Sequence, residues 1–412
     1  MKTEVVLPSE RDASGRSFGS EERSLLLEVL ESGILFGPNG TKVRAFETEV
    51  AALLGIAHAR AVSSGSAAVH TALAALDIGP GEEVITTPIT DMGAISPILC
   101  QGAIPVFADV DPETLNITAE TVAERISDRT RAIIVTHLFG NPCDMDPITK
   151  LATERGIPLL EDAAQAYLAK YRGRYVGTLG QIAAFSLQQT KQMTCGEGGV
   201  VVTDSEALAR RARVWADKGW NYESEAPDHD FLGLNYRMSE LQGAVALGQV
   251  RKLTAMVENR VRVADILRDG LADVAGVRPV PVSPHSVATY WRFPLLVDSD
   301  IVPGGPAALA GELKSLGVWS TPNYIRYPAF MCRQFRERVT FGQSDHPYSL
   351  HGDYPLEDIG DFPGCKTGLA SVLVLPWTER HNETHAMLIA ERVAEAADRL
   401  VDGSGQPIGR SG

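Results

Sequence analysis

Three short stretches of this 412-residue chain carry side chains whose types and spacing suit a phosphorylated, electron-withdrawing ring. In IPLLEDAAQ, Asp162 follows an apolar run and so stands near the carboxyl edge of a buried strand, where ligands gather in α/β sheets. Against a pyridine nitrogen, an ionised Asp162 keeps the ring protonated and makes it an electron sink, the driving force of pyridoxal chemistry. In AFSLQQTKQMTCGEGGVVVTD, a strand ending at Ser186 leads into a polar loop that carries Lys191, and a Gly-rich turn returns the chain to another strand. A Schiff-base lysine needs freedom to swing and surroundings that lower its pKa. A loop between two buried strands offers both. Ser186, Gln188 and Thr190 add neutral hydrogen-bonding groups for phosphate oxygens or the imine, and Gly196, Gly198 and Gly199 allow tight turns. In VSSGSAAVHTALAAL, a strand passes through a Ser/Gly turn into an alanine-rich helix. The backbone N–H groups of Gly65, Ser66 and Ala67 are the expected phosphate donors, helped by the positive end of the helix dipole. Singly, each stretch has an ordinary alternative: Asp162 as a cap, Lys191 as a solvated surface charge, the Ser/Gly turn as simple N-capping.

The elements that must hold these groups follow from hydrophobic rhythm. Between residues 60 and 203, short apolar runs alternate with helical segments, which is the pattern of an α/β fold. Runs such as AIIV and VVV are apolar on both faces and suit central strands of a largely parallel sheet covered by helices on each side. Residues 1–20 read as a polar arm, with ordered structure beginning at the helical pattern EERSLLLEVLESG and its stop at Gly33. Residues 21–255 form the expected large domain. A long helical pattern from about Ser239 to Val274 links it to a smaller α+β domain, residues 256–412, which ends in the amphipathic stretch ETHAMLIAERVAEAADRLV. Two domains suit the length, since single cores stop growing near ~250–300 residues.

Composition narrows the classes further. Hydrophobic residues at 44% and charged residues at 22% describe an ordinary globular protein. A net charge of −14, without any basic stripe, argues against nucleic acid as a partner. The five cysteines are scattered without ligand spacing, so neither a disulfide framework nor a metal is expected. The N-terminal stretch is charged and broken by Pro8, and no apolar run reaches the ~18 residues of a membrane span. The expectation is a cytoplasmic protein. Neither a Walker lysine pattern nor a strand-linked GxGxxG is present, which removes the main support for a dehydrogenase of the Rossmann type.

Taken in order, GPNGTKVRAFETEVAALLG, SSGSAAVHTAL, PVFADVDPETLNI, HLFGNPCDMDPI, EDAAQAY, YRGRYVGTLGQIAAFSLQQTK, GEGGVVVTD and GLNYRMSELQGAVALGQVRKL resemble the DegT/DnrJ/EryC1/StrS group of pyridoxal-phosphate-dependent sugar and cyclitol aminotransferases. The resemblance covers nearly the whole chain. It implies a fold-type-I transferase whose large, mostly parallel seven-stranded sheet is sandwiched by helices, with pyridoxal 5'-phosphate as cofactor. It further implies Lys191 as the Schiff-base lysine and proton shuttle, Asp162 on the pyridine nitrogen, Gln165 near the O3′ face of the ring, and Ser186, Gly65 and Ser66 on the phosphate. Asn235 of NYRMSE would reach the phosphate of a neighbouring subunit in a homodimer.

Two departures from the pattern stand out. Where many relatives carry a ring that stacks on the cofactor, this chain reads PITDMGAI, and Met92 is the residue expected in that place. Gln188 stands where nucleotide-sugar members commonly have histidine, which resembles the branch acting on cyclitols, such as the inosose aminotransferases of aminoglycoside pathways. The reaction implied is a ping-pong transfer from L-glutamine or L-glutamate to a ketone of a cyclitol or sugar. Tyr324, Arg326, His351 and Asp353, from the aromatic and proline-rich middle of the small domain, are the expected partners of the acceptor's hydroxyls. The alternatives are a dehydratase or lyase on a keto- or nucleotide-sugar, disfavoured because dehydratases of this group replace the lysine with histidine, and a non-catalytic regulator, disfavoured because Asp162, Ser186 and Lys191 are all retained.

Overall fold

The computed structural model describes residues 6–403 apart from 223, 352 and 353. Its centre is a seven-stranded sheet built from β1 (His58–Val62), β2 (Glu83–Thr86), β3 (Ile104–Phe107), β4 (Thr130–Thr136), β5 (Leu159–Asp162), β8 (Ile182–Ser186) and β9 (Gly199–Thr203). Two short strands, β6 (Lys170–Tyr171) and β7 (Arg174–Tyr175), lie between β5 and β8 in sequence and pair outside this sheet. The order across the large sheet is β1-β9-β8-β5-β4-β2-β3, and only β9 runs against its neighbours. The runs that look apolar on both faces are buried along their whole length at β2, β3, β5, β8 and β9, because helices cover both faces of the sheet. Fold class and the mostly parallel sheet agree with expectation.

Parallel neighbours end on one edge. β5 pairs in parallel with β4 and β8, so Asp162 and Ser186 terminate on the same side, beside the residues following Thr136. Helix α1 (Ser20–Ser32) closes on Gly33 at φ 68°, and α2 (Lys42–Leu54) follows. Helix α3 (Gly65–Ala75) starts directly after β1 and lies across β8 and β9, nearly every residue buried because alanine lets the backbone come close.

The second sheet comprises β10 (Val277–Pro279), β12 (Arg292–Val297), β13 (Thr321–Pro322) and β14 (Val372–Pro376), in the order β10-β12-β14-β13 and antiparallel throughout. Strand β11 (Ser286–Val287) instead pairs with β6 and ties the two units together. The long helical pattern is two helices, Glu240–Val250 and Leu253–Gly270. The second bridges both cores: Leu253, Met256 and Val257 pack with the large sheet, while Val263, Ala264 and Leu267 pack with the small one.

The arm departs from expectation. Among the described residues before Ser20, Glu10 and Arg16 are folded in, only 4% and 2% exposed. Charged side chains are buried at this level only when paired, and both are paired, Glu10 with Arg292 and Arg16 with Glu379. A polar composition reads as a loose arm only until its partners, more than 280 residues away in each case, are visible.

Candidate active site

Lys191 sits in the hairpin loop that joins β8 to its antiparallel neighbour β9. Main-chain bonds from Leu187 to Gly198 and from Cys195 to Leu187 close the base of this loop, and the Lys191 amide bonds to the Gln188 carbonyl at 2.9 Å. Although it lies on a loop, Lys191 is 9% exposed. Burial pulls its amine down from 10.5 to about 8, against the opposing pull of Asp162 and Asp91. An amine in that range is partly neutral near physiological pH and can act as nucleophile and as base.

Asp162 is 4% exposed and accepts from the Ala164 amide at 3.1 Å. Burial raises its pKa, while the Ala164 N–H and the Lys191 charge work the other way. The preceding residue is fixed even more firmly. Glu161 accepts the amides of Gly177, Leu179 and Gly180 and contacts His137 Nε2 at 3.0 Å. The Cys143 N–H donates to His137 Nδ1 at 3.1 Å, so the ring proton is on Nε2 and donates to Glu161. This buried pair locks the end of β5 and therefore the direction in which Asp162 points. Sequence reasoning passed over it, although HLFG and EDAAQ both sit at strand ends.

A cradle of helix-end amides and hydroxyls lies where α3 begins. Ser64 caps the helix by accepting from Ala67 N–H at 3.1 Å, and the Ala68 amide goes to the Ser64 carbonyl. Ala67 is thus occupied, contrary to expectation, and the amides of Gly65 and Ser66 are the ones left for an anion. A Cβ on Gly65 would stand 2.7 Å from Ser186 Cβ and 2.8 Å from its Oγ, and one on Gly93 would stand 2.5 Å from Ser66 Oγ. The two glycines thus keep open a hollow lined by hydroxyls and helix-end amides, which fits a phosphate. Met92, in the turn Met92–Ala94 that follows Asp91, is half-buried and packs on the core beside the first turn of α3.

Gln165 and Tyr324 meet. Gln165 Oε1 accepts the Phe139 amide at 2.7 Å, and its Nε2 lies 3.5 Å from the Tyr324 hydroxyl. The Tyr324 ring sits edge-on to Phe139 at 4.7 Å and burial raises the pKa of its hydroxyl. Gln188 is turned otherwise than expected: its Oε1 accepts both the amide and the hydroxyl of Thr190 at 2.8 Å, bracing the lysine loop. Asn235 is exposed and, among the described residues, bonds to none of these groups, pairing instead in a short bridge with Asp217. Arg326 is exposed with its guanidinium over the Tyr327 ring. His351 does not belong here. Its Nε2 contacts the Gly81 carbonyl, at the amino end of β2 and hence the opposite edge of the sheet. Asp353 lies outside the described residues.

Two residues absent from the sequence reading shape the centre. Trp291 places its indole face 4.0 Å from Lys191 Nζ and donates from Nε1 to the Thr190 carbonyl at 2.9 Å. Arg16 donates to the main-chain carbonyls of Gln189 and Lys191 and pairs with Glu379, which also pairs with Arg260. A cleft of about 950 Å³ opens beside Trp291, Arg292 and Tyr324, between the arm and the small domain.

Residues 17–350 match the model of the DegT/DnrJ/EryC1/StrS aminotransferase family. The chain belongs to that family. It is 39% identical over 348 residues to the spore coat polysaccharide biosynthesis protein SpsC of Bacillus subtilis, spanning 81% of this chain and 87% of the relative. It is 34% identical over 280 residues to the GDP-perosamine synthase of Escherichia coli O157:H7, spanning 68% and 76%. Its fold superposes on the crystal structure of 3-amino-5-hydroxybenzoic acid synthase with a TM-score of 0.83 at 28% identity, covering 93% of this chain and 98% of the other. Members depend on pyridoxal phosphate, as anticipated from the residues.

The donor set fits that cofactor on its own terms. The amides of Gly65 and Ser66 and the Ser186 hydroxyl suit a phosphate, Asp162 is a buried acid at the strand end, and Lys191 is a buried amine of lowered pKa.

Proposed function

We propose that this protein is a pyridoxal-phosphate-dependent aminotransferase that moves an amino group from L-glutamine or L-glutamate to a ketone of a polyhydroxylated ring, a cyclitol or a sugar. The observation that carries the reading is the convergence on one sheet edge of the buried Lys191 amine, the buried Asp162 carboxylate and the hollow at the start of α3. When bound, pyridoxal phosphate supplies an electron sink for the carbon that loses and regains a proton.

The chain's own part is positioning and proton transfer. Gly65 and Ser66 N–H and Ser186 hydroxyl would hold the phosphate, and Asp162, directed by the locked strand end at Glu161, would keep the ring nitrogen protonated. Met92 would cover the ring where an aromatic residue is missing, its thioether suited to a ring face. Gln165 would face the ring oxygen. Lys191 Nζ takes the α-proton of the donor and returns a proton to the acceptor carbon.

The acceptor class rests on relatives that diverge in an informative way. GDP-perosamine synthase is named for an amino-sugar nucleotide, while 3-amino-5-hydroxybenzoic acid synthase is named for an aminated carbocycle. The cleft beside Tyr324 has hydroxyl, guanidinium and aromatic groups to meet a ring rich in hydroxyls. Tyr324 and Arg326 remain the proposed contacts.

A homodimer accompanies this reading. Ile34, Leu35 and Phe36 before α2 and Leu232 and Leu234 beside Asn235 are exposed apolar residues, Leu232 at 89%. Water contact at so many large side chains is relieved by a second copy, which would also bring Asn235 to the neighbour's phosphate.

The deciding experiment is the visible spectrum of the protein with pyridoxal phosphate, before and after L-glutamine, in wild type and Lys191→Ala. A protein-bound band in wild type that glutamine bleaches, and that the variant lacks, supports the donor half-reaction and opens a screen of inososes and keto-sugars. Absence of any band, or unimpaired turnover by Lys191→Ala, would remove the reading.

A further inference from the structure

We propose that the face of Trp291 is the resting place of the Lys191 amine, holding it whenever it carries a proton and is not bonded to the cofactor. The inference rests on the transferase reading, in which Lys191 must be set free and recaptured in every cycle. A released amine needs somewhere to go that keeps it close without consuming it.

The indole is held for that task. Its Nε1–H donates to the carbonyl of Thr190, the residue just before the lysine, and the Trp291 main-chain N–H donates to the Phe139 carbonyl at 2.8 Å. The ring is 8% exposed and stands nearly perpendicular to Tyr324, 6.4 Å away. It therefore moves with the lysine loop and cannot rotate out of reach. At 4.0 Å from the ring centroid, Nζ lies well inside the ~6 Å over which a cation feels an aromatic face. Arg292 also approaches this ring, at 4.7 Å, but its charge is met by Glu10.

The contact matters because of what is missing around Nζ. Among the described residues no carboxylate comes within ion-pair distance of it, and Asp162 and Asp91 act on it only through space. A carboxylate at contact would keep the amine protonated and tethered. An indole face attracts the ammonium, has no lone pair to accept its proton, and releases the neutral amine without penalty. Trp291 is accordingly a positioning residue, acting through Lys191.

The test reads the protonation of Lys191 directly in the full chain without added cofactor. Trace labelling with acetic anhydride across pH, quantified at the Lys191 peptide by mass spectrometry, gives the midpoint of the amine. Loss of the aromatic face in Trp291→Leu is expected to lower that midpoint by roughly half a unit to one unit. Trp291→Phe keeps a ring but loses the bond to Thr190, and should recover most of the shift. An unchanged midpoint in Trp291→Leu overturns the proposal. So does a Trp291→Phe midpoint equal to that of the leucine variant, because the effect would then come from the lost Thr190 bond.

Should the leucine variant not fold, wild type decides. Tryptophan emission should change with pH at the labelling midpoint, and Lys191→Ala should lack that transition; a transition that persists in Lys191→Ala overturns the proposal. Because neither readout uses the cofactor, a wild-type protein that fails to form a visible band would count against the transferase reading alone.

Discussion

Arg16 precedes Lys191 by 175 residues, yet its guanidinium donates to the Lys191 main-chain carbonyl. The same guanidinium reaches Glu379, which in turn reaches Arg260, and all three side chains are at most 1% exposed. Arm, lysine loop and small domain are thus joined by one buried charge cluster. Taking one member from such a cluster leaves the others uncompensated. Glu379→Ala, which leaves two guanidinium groups facing each other, is expected to cost about 3–5 kcal/mol. Arg16→Ala should cost less, because Arg260 still meets Glu379. Urea unfolding midpoints of the two variants give the order, and a Glu379→Ala chain as stable as wild type would contradict it.

The Lys191 amine, lowered to about 8 from 10.5 by burial, predicts how cofactor capture depends on pH. Only the neutral amine attacks a carbonyl, so the rate of band formation after mixing with pyridoxal phosphate should rise with pH and level off above about 8. An unperturbed lysine would keep accelerating to beyond pH 10. The stability sign follows from the same shift. Between about 8 and 10.5 the unfolded chain holds the proton that the folded chain has lost, so this group's contribution to stability increases with pH across that window. Asp162→Asn removes the strongest upward influence on the amine and should move the midpoint of trace labelling lower still.

Gly65 tests the phosphate hollow. A methyl group there would lie 2.8 Å from Ser186 Oγ, in the space between helix start and hydroxyl. Gly65→Ala should therefore weaken pyridoxal phosphate binding by about tenfold or more, ~1.4 kcal/mol, read by titrating the visible band. Gly55→Ala, where a Cβ meets nothing but the backbone is left-handed at φ 69°, serves as contrast: it should lower the melting temperature and leave cofactor affinity intact.

How far these features could be read from the sequence depended on whether they are local. Asp162, Ser186 and Lys191 were legible because strand ends show in the hydrophobic pattern and a parallel sheet brings its carboxyl ends together. At Ala67 a cap competes for the same amide, which only geometry resolves. Gln188 has the residue type of a ligand contact, but its oxygen is spent on Thr190, two residues on. His351 looked like a site residue by type, but its loop runs to the amino edge of β2. Trp291 and Arg16 went unseen because their partners are 101 and 175 residues away. No periodicity reports such contacts. The arm looked like solvent-exposed polar chain for the same reason.

Tyr324 offers the sharpest separation of the two half-reactions. Its hydroxyl lies 3.5 Å from Gln165 Nε2, at the wall of the cleft beside Trp291 and Arg292. Gln165 does not depend on it, since its Oε1 is held by the Phe139 amide at 2.7 Å. Tyr324→Phe should leave the ring packed against Phe139 and the cofactor pocket unaltered. The donor half-reaction, followed by bleaching of the visible band with L-glutamine, should then proceed at the wild-type rate. The acceptor should lose one hydrogen bond of ~1 kcal/mol, raising its KM about fivefold with little change in kcat. Equal slowing of both halves would mean that the hydroxyl serves the cofactor through Gln165, and Tyr324 would then leave the set of acceptor contacts.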